Sequence, residues 1–147
     1  PRPAGGRGFY EGGPKVKQGQ SAEDVLYDMQ SEIILELAEK GDCIIVGRCA
    51  DHVLESKHVD CLSLFICAPF DWRVHHRMEI ENVDEKTAAA LVEKTDKQRE
   101  KYYTHYTAHP WGLPENYDLC INSARLGIDR TASLLAQHCR ELFNDLP

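Results

Sequence analysis

The sequence predicts an α/β fold built on a parallel sheet. Three short apolar runs, at residues 43–46, 61–68 and 118–122, are typical of strands buried on both faces, which favours parallel over alternating antiparallel pairing. Helical patterns lie between and after these runs, and this alternation is typical of βαβ units. The 147 residues are enough for one domain with a substantial core.

Four helices are predicted around the strands. Ser21 and Asp24 fit a capping box and Gly41 is a stop signal, so the first helix is expected to run to about Lys40. Apolar residues recur along it at intervals of four, at Val25, Met29, Ile33 and Leu37. The other helical patterns cover residues 70–81, 84–105 and 128–143.

Residues 1–20 differ in composition from the rest of the chain. They hold six of the ten glycines and three of the seven prolines, which predicts a loop or tail followed by one domain over residues 21–147. No apolar run approaches the roughly 18–20 residues that span a bilayer, and the first residues form no hydrophobic leader, so we expect a cytoplasmic protein without a membrane partner. The net charge of −7 argues against nucleic acid as a partner, and a homo-oligomer stays open.

The six cysteines form no C-x-x-C pair, which argues against a zinc ribbon or a thioredoxin-type site. Four of them lie in or beside the apolar runs and are predicted to be buried as small hydrophobes: Cys43, Cys61, Cys67 and Cys120. This usage favours a reduced protein over a disulfide scaffold. His105 and His109 have the spacing of a metal-binding helix, but no third ligand is near them and Pro110 follows, so no metal site is predicted.

Arginines follow the first two predicted strands. Arg48 comes after Gly47, at the strand end where open α/β sheets bind ligands, and could hold a phosphate or carboxylate or pair with a nearby acid. Arg73 and Arg77 are four residues apart and share one helix face. Together they could clamp a polyanion, or they could pair with acids on their own helix.

The stretch from 93 to 101 is polar on all sides of its predicted helix, which is typical either of a ligand-facing helix or of a solvated surface helix. Its cations are Lys94, Lys97, Arg99 and Lys101. Cations placed around a transferring phosphoryl group would neutralise its charge. The aromatic residues that follow could stack on a base or pack at a hinge: Tyr102, Tyr103, Tyr106 and Trp111.

Four segments, taken in order, resemble the cytidylate kinase-like family of P-loop nucleoside monophosphate kinases. They are IVGR at 45–48, APFDWRVHHRM at 68–78, EKTDKQR at 93–99 and YDLCINSARLGID at 117–129. The resemblance covers about residues 31–142. It implies a three-layer α/β/α sandwich with a parallel sheet, a lid region at about 70–112, and phosphoryl transfer from ATP, with Mg²⁺, to a nucleoside monophosphate, CMP or dCMP.

The resemblance also implies residue roles. The donor phosphates and the reacting group would be contacted by Arg73, Arg77, Lys97 and Arg99. The acceptor would be bound by Arg48, Asp51, Lys94, Asp96 and Lys101. The donor base would lie near Asn122, Ser123 and Arg125.

The chain departs from the family pattern at several positions. Cytidylate kinases proper have an aspartate directly after the Gly-Arg pair, where this chain has Cys49, and His76 stands where a second adjacent arginine is expected. Lysines replace several lid arginines, and a lysine lacks the planar fork of an arginine. A kinase of the same fold that acts on a non-nucleotide acceptor is therefore an alternative.

The glycine-rich stretch from Gly5 to Lys15 does not fit the phosphate-binding loop G-x-x-x-x-G-K-[ST]. Pro14 separates Gly13 from Lys15, no serine or threonine follows the lysine, and no apolar strand precedes the glycines. We therefore expect that loop, with its strand and helix, to lie outside this sequence. A non-catalytic nucleotide-binding or scaffold protein is the second alternative.

Overall fold

The computed structural model describes residues 19–144. The chain divides into two compact units, Pro1–Asp60 and Cys61–Pro147. Residues 1–18 lie outside the described part, and with them most of the predicted tail and the whole glycine-rich stretch. The single domain predicted over 21–147 stays a prediction.

The described residues of the first unit, 19–60, form two helices. Helix α1 spans Ala22–Lys40 and begins with the predicted capping box, in which Ser21 and Asp24 each bind the other's backbone N–H. Helix α2 spans Ala50–Glu55 and is too short to have been predicted from periodicity. Ile34 of α1 packs with Val53 and Leu54 of α2, and these buried side chains form the core of this unit.

The strand predicted at 43–46 is wrong: the segment is not a strand and, within residues 19–144, pairs with no other strand. Ile44 and Val46 are 95% and 87% exposed, whereas Ile45 packs against the α1–α2 core. An apolar run becomes a buried strand when neighbours supply ladder hydrogen bonds and cover both faces. In the described chain, one face of this segment is covered, and no neighbouring strand provides ladder hydrogen bonds to it.

The second unit alternates strands and helices as predicted. Its elements are β1 (Leu64–Cys67), α3 (Phe70–Glu81), α4 (Glu85–Thr107), β2 (Leu119–Asn122), α5 (Ser123–Leu126) and α6 (Ile128–Asn144). The strands β1 and β2 pair in parallel, with Cys67 opposite Asn122 at their carboxyl ends. The predicted parallel pairing and the three long helices are confirmed. The described sheet has two strands in a mostly helical structure, so the three-layer sandwich stays a prediction.

Helices α3 and α4 pack through a small apolar cluster. Val74 of α3 contacts Ala88 and Val92 of α4, and Ala88 is fully buried. Asp84 caps α4 by accepting hydrogen bonds from the Thr87 N–H and hydroxyl, each at 2.9 Å. These bonds lower the pKa of the Asp84 carboxyl, because they favour its charged form.

The sheet is less buried than the apolar runs predict. Ile66, in the middle of β1, is 54% exposed, so β1 is not covered on both faces by described residues. The predicted burial of cysteines is wrong for Cys43, Cys61 and Cys120, which are exposed, while Cys67 is half-buried. Cys49 is the buried cysteine instead, because it begins α2 against the helical core. All six cysteines lie within residues 19–144, and none of them forms a disulfide within that range.

An aromatic cluster joins the end of α4 to the sheet. Phe65 of β1 lies 5.5 Å from the Trp111 ring and 4.9 Å from the Tyr117 ring, and Tyr103 lies 6.2 Å from Tyr117. Gly112 allows this approach, because it has φ +76° and a Cβ there would meet Phe65 at 3.0 Å. Tyr103 and Trp111 therefore have packing roles, whereas Tyr102 and Tyr106 form a separate pair 4.8 Å apart.

Replacing Ala88 by leucine is expected to lower the free energy of unfolding by about 1–3 kcal/mol, because the larger side chain overfills a fully buried site. Ala90→Leu is the matched control: the same change on the same helix at an exposed position, with an expected effect within about 0.5 kcal/mol. Urea unfolding followed by tryptophan fluorescence measures both, since both tryptophans lie in the second unit. Equal losses in the two variants would contradict the packing described.

Candidate functional site

At the carboxyl end of β1, two consecutive backbone carbonyls each accept a hydrogen bond from a polar side chain. The Ser123 hydroxyl donates to the Cys67 carbonyl at 3.2 Å, and Arg73 Nε donates to the Ala68 carbonyl at 3.1 Å. Ser123 begins the short helix α5 directly after β2, and Arg73 lies in the first turn of α3 directly after β1. Parallel strands with matched ends therefore bring these residues to one sheet edge, as the sequence predicts.

Arg73 also forms an ion pair with Asp96 of α4. Arg73 Nη1 lies 2.8 Å from Oδ1 and 2.7 Å from Oδ2 of the carboxylate. About a third of each side chain is exposed, at 33% and 28%. The pair links α3 to α4 beside their apolar cluster, and it places a fixed guanidinium at the end of β1.

Arg77 lies one turn after Arg73 and pairs with Glu81 of the same helix at 2.8 Å. His76, at the position where the family pattern has an arginine, stacks on Trp72 with the ring centroids 4.9 Å apart. Arg99 is exposed, three residues after Asp96 and thus on the same side of α4. The structure therefore brings Arg73, Asp96 and Arg99 to one side of α4.

Three of the four lysines of α4 lie on another side of the helix. Lys94, Lys97 and Lys101 recur at intervals of three and four residues and line an open groove of about 390 Å³ on the helix surface. Lys97 has Glu93 at 4.0 Å. At 100° per residue this row lies about half a turn from the row that includes Val92, Asp96 and Tyr103. One ligand beside a straight α4 cannot meet both rows.

In the first unit, a left-handed turn positions Arg48. Gly47, Arg48 and Cys49 have φ values of +72°, +61° and +55°, and the turn leads directly into α2. Non-glycine residues in this region cost about 1–2 kcal/mol each, so the turn is strained. Arg48 is exposed at this turn, and Asp51 is half-buried in the first turn of α2.

The Cys49 thiol is buried beneath this turn. Burial and, to a smaller extent, the negative charge of Asp51 together raise its pKa to about 11. A buried neutral thiol stands at the position that follows the Gly-Arg pair, so Cys49 contributes packing and no charge there.

The residues after β2 are held by local hydrogen bonds. Asn122 Oδ1 accepts from the Ala124 N–H at 3.1 Å and so caps α5. Ser123 is buried and bonded to β1, whereas Arg125 is exposed on α5. Asn122 and Ser123 thus have structural partners at the strand ends, and Arg125 is accessible to solvent.

Within residues 19–144, no three histidine, cysteine, aspartate or glutamate side chains are grouped closely enough to hold a metal ion. In the same part of the chain, no helix is both long and apolar enough to cross a bilayer.

Comparison with known proteins places the chain in a family. A family model described as the cytidylate kinase-like family matches residues 5–125. The chain belongs to the cytidylate kinase-like family. Membership indicates a kinase-like, nucleotide-related function and confirms the resemblance that the four sequence segments indicate.

The chain is also similar to a solved structure. It is the crystal structure of an uncharacterized protein from Eubacterium ventriosum, whose sequence is 33% identical to this cytidylate kinase-like chain. The match covers 82% of this chain and 67% of the other chain, with a TM-score of 0.72. No curated protein matches the chain.

Sequence reasoning missed two features of this cytidylate kinase-like site. The carbonyls of Cys67 and Ala68 orient Ser123 and Arg73, but backbone groups have no signature in the sequence. The pairing of Arg73 with Asp96 spans 23 residues and depends on how α3 meets α4. The Arg77–Glu81 pair did have a signal, because opposite charges four residues apart on a helix are neighbours.

Cys49 is expected to react slowly with iodoacetamide at pH 8, because a pKa of about 11 leaves roughly a hundredfold less thiolate than the ordinary value of 9.0. The exposed Cys43 is the internal reference. Mass spectrometry of peptides from a labelling time course gives both rates. Labelling of Cys49 as fast as Cys43 would show that the thiol is neither buried nor shifted.

Arg48→Gly is expected to be more stable than Arg48→Ala by about 1 kcal/mol, because glycine adopts φ +61° without the strain that a Cβ causes. Both variants lose the same side chain, so its contacts cancel in the comparison. Urea unfolding followed by far-ultraviolet circular dichroism measures the difference. An alanine variant as stable as the glycine variant would mean that the turn is unstrained.

Proposed function

We propose that this protein transfers the γ-phosphoryl group of ATP to a nucleoside monophosphate, with CMP or dCMP as the acceptor. The observation that supports it best is Arg73, fixed at the carboxyl end of β1 beside Ser123. Open α/β sheets bind ligands at this edge, and a guanidinium is suited to phosphate oxygens. Membership of the cytidylate kinase-like family supports the same reaction class.

Phosphoryl transfer leaves little covalent chemistry for the protein itself, whose main contribution is to position charged groups. Phosphoryl transfer depends on positioning the two oxygens in line and on neutralising the charge of the transferring group. In the proposal Arg73, Arg77 and Arg99 supply this charge to the donor phosphates. Arg77 would exchange Glu81 for phosphate, because that ion pair lies on one helix and is about one-third exposed.

The remaining roles in the proposal follow the family pattern. Arg48 and Asp51 would bind the acceptor monophosphate, for which the family pattern also implies a contact from Asp96. Asn122, Ser123 and Arg125 would lie near the donor base. Lys94, Lys97 and Lys101 would act after a movement of α4, since their row faces away from the Arg73 side of the helix. In the proposal the complete domain has the three-layer sandwich fold of P-loop kinases. The protein would act in the cytoplasm.

Mg²⁺ fits the proposed site as a companion of the nucleotide. It usually binds through one or two carboxylates together with substrate phosphates and waters, so a cage of three protein ligands is not required. Bound there, it would neutralise charge on the donor phosphates. The described residues would contribute arginines around those phosphates, and no described residue is assigned as a metal ligand.

One observation favours a second candidate, a kinase of this fold with another acceptor. Cys49 is 4% exposed and its thiol is neutral, so it cannot replace the carboxylate that cytidylate kinases proper carry after the Gly-Arg pair. A thermal-shift screen of the protein against nucleoside monophosphates separates the candidates. Stabilisation by CMP or dCMP supports the first, and stabilisation by no monophosphate overturns it.

Arg73→Ala is expected to reduce turnover with MgATP and CMP by about 10³–10⁵, because it removes a cation from the transferring group. Arg140→Ala, an exposed arginine on α6 away from the sheet edge, is the matched control and should keep the turnover of the unchanged protein. A coupled assay of ADP formation, run with each common monophosphate, measures the rates. Turnover unaffected by loss of Arg73 would remove the main support for the proposal.

A further inference from the structure

We infer that Asp96 is a positioning residue: it holds the Arg73 guanidinium at the carboxyl end of β1 so that the Nη2 amino group meets the phosphates of ATP. The inference rests on the proposed function for the identity of the ligand. It differs from the acceptor contact that the family pattern implies for Asp96. It is carried by the hydrogen bonds of the Arg73 side chain.

The guanidinium of Arg73 is held from two directions. Nε donates to the Ala68 carbonyl at 3.1 Å, and both carboxylate oxygens of Asp96 contact the single nitrogen Nη1 at 2.7 and 2.8 Å. An arginine has five N–H donors: one on Nε and two on each Nη. The nitrogens Nε and Nη1 are engaged here, and the two N–H groups of Nη2 donate to no residue within 19–144. The side chain is therefore fixed in orientation while one amino group stays available.

The Asp96 carboxylate is committed to this arginine. Both of its oxygens lie within hydrogen-bond distance of Nη1, and the side chain is 28% exposed on the side of α4 that packs against α3. Val92, one turn before it on that side, is buried against Val74 of α3. Both oxygens of this carboxylate face the same nitrogen of Arg73, which places Asp96 to fix that neighbouring cation.

A purely structural ion pair between α3 and α4 is the competing interpretation. Ion pairs with this much exposure usually contribute little to stability, since solvent screens them. The two interpretations therefore differ in what is lost with the carboxylate. Loss of a purely structural ion pair leaves MgATP binding and turnover unchanged, whereas loss of a positioning residue weakens both.

The test is a double-mutant cycle on MgATP binding. The proteins are the full-length protein with its phosphate-binding loop and its Asp96→Asn, Arg73→Ala and double variants, with Glu100→Gln as the control that removes an exposed carboxylate from the same helix. Isothermal titration gives the dissociation constants. Asp96→Asn is expected to weaken MgATP binding about tenfold, and the double variant should bind no more weakly than Arg73→Ala, because Asp96 acts through Arg73.

Turnover adds a second readout to the cycle. Asp96→Asn should lower kcat about a hundredfold through misplacement of Arg73, with the KM for the acceptor monophosphate unchanged. Multiplying effects of the two changes, together with a raised acceptor KM, would overturn the inference and support an acceptor contact. Full MgATP affinity in Asp96→Asn would overturn it as well.

The inference and the proposed function fail in different ways. If the unchanged protein binds MgATP but transfers phosphate to no monophosphate, the proposed function fails while the binding cycle still decides the role of Asp96. If turnover is present and MgATP binding does not depend on Arg73, the inference fails and the proposed function stands. Absence of MgATP binding to the unchanged protein overturns both.

Discussion

The hydrogen bond between Arg73 Nε and the Ala68 carbonyl is the constraint on which the site depends. It ties the first turn of α3 to the end of β1, and the ion pair with Asp96 ties the same side chain to α4. One guanidinium therefore fixes three elements relative to each other at the sheet edge. Ser123, bonded to the preceding carbonyl, adds α5 to this arrangement. The chemistry proposed for the protein needs this order, because phosphate oxygens are bound well by donors that are already in place.

Helix α4 separates its charges by face. Its inner row packs on α3 and carries Asp96, while its outer row carries the three lysines that line the surface groove. The polar residues of 93–101 therefore belong to two different faces of α4. Once the buried row is known, the 100° rotation per residue assigns each polar residue to one of these faces. A ligand held at the end of β1 lies on the side of Arg73, so the lysine row takes part in the proposed reaction only if α4 moves.

The first unit contributes a strained turn and a buried thiol. Three consecutive residues with positive φ present Arg48 ahead of α2, and two of them carry side chains that disfavour this conformation. Cys49, the last residue of the turn and the N-cap of α2, is 4% exposed, so its burial helps to keep the turn in place. Strain that the surrounding packing maintains is typical of functional segments, which agrees with the phosphate-binding role proposed for Arg48.

The sequence by itself determined the elements whose signals are local. Three local signals predicted helices close to their observed limits: the capping box at Ser21, the apolar residues at intervals of four along α1, and the helical pattern that contains the polar stretch of α4. They could be recognised in the sequence because capping and periodicity act over a few residues. The parallel pairing of β1 and β2 and the family also followed from the sequence, as did the placement of Arg73 at a strand end.

Tertiary structure alone decided the features that need distant partners. The run at 43–46 has strand composition but finds no ladder partner in the described chain, so Ile44 and Val46 are exposed. The Arg73–Asp96 pair and the carbonyl contacts of Arg73 and Ser123 arise where separate elements meet. The Arg73–Asp96 pair joins residues 23 positions apart in the sequence. The contact of Ser123 with the Cys67 carbonyl joins residues 56 positions apart. Composition and spacing report which groups are present; the packing of α3 on α4 and on the sheet decides which of them touch.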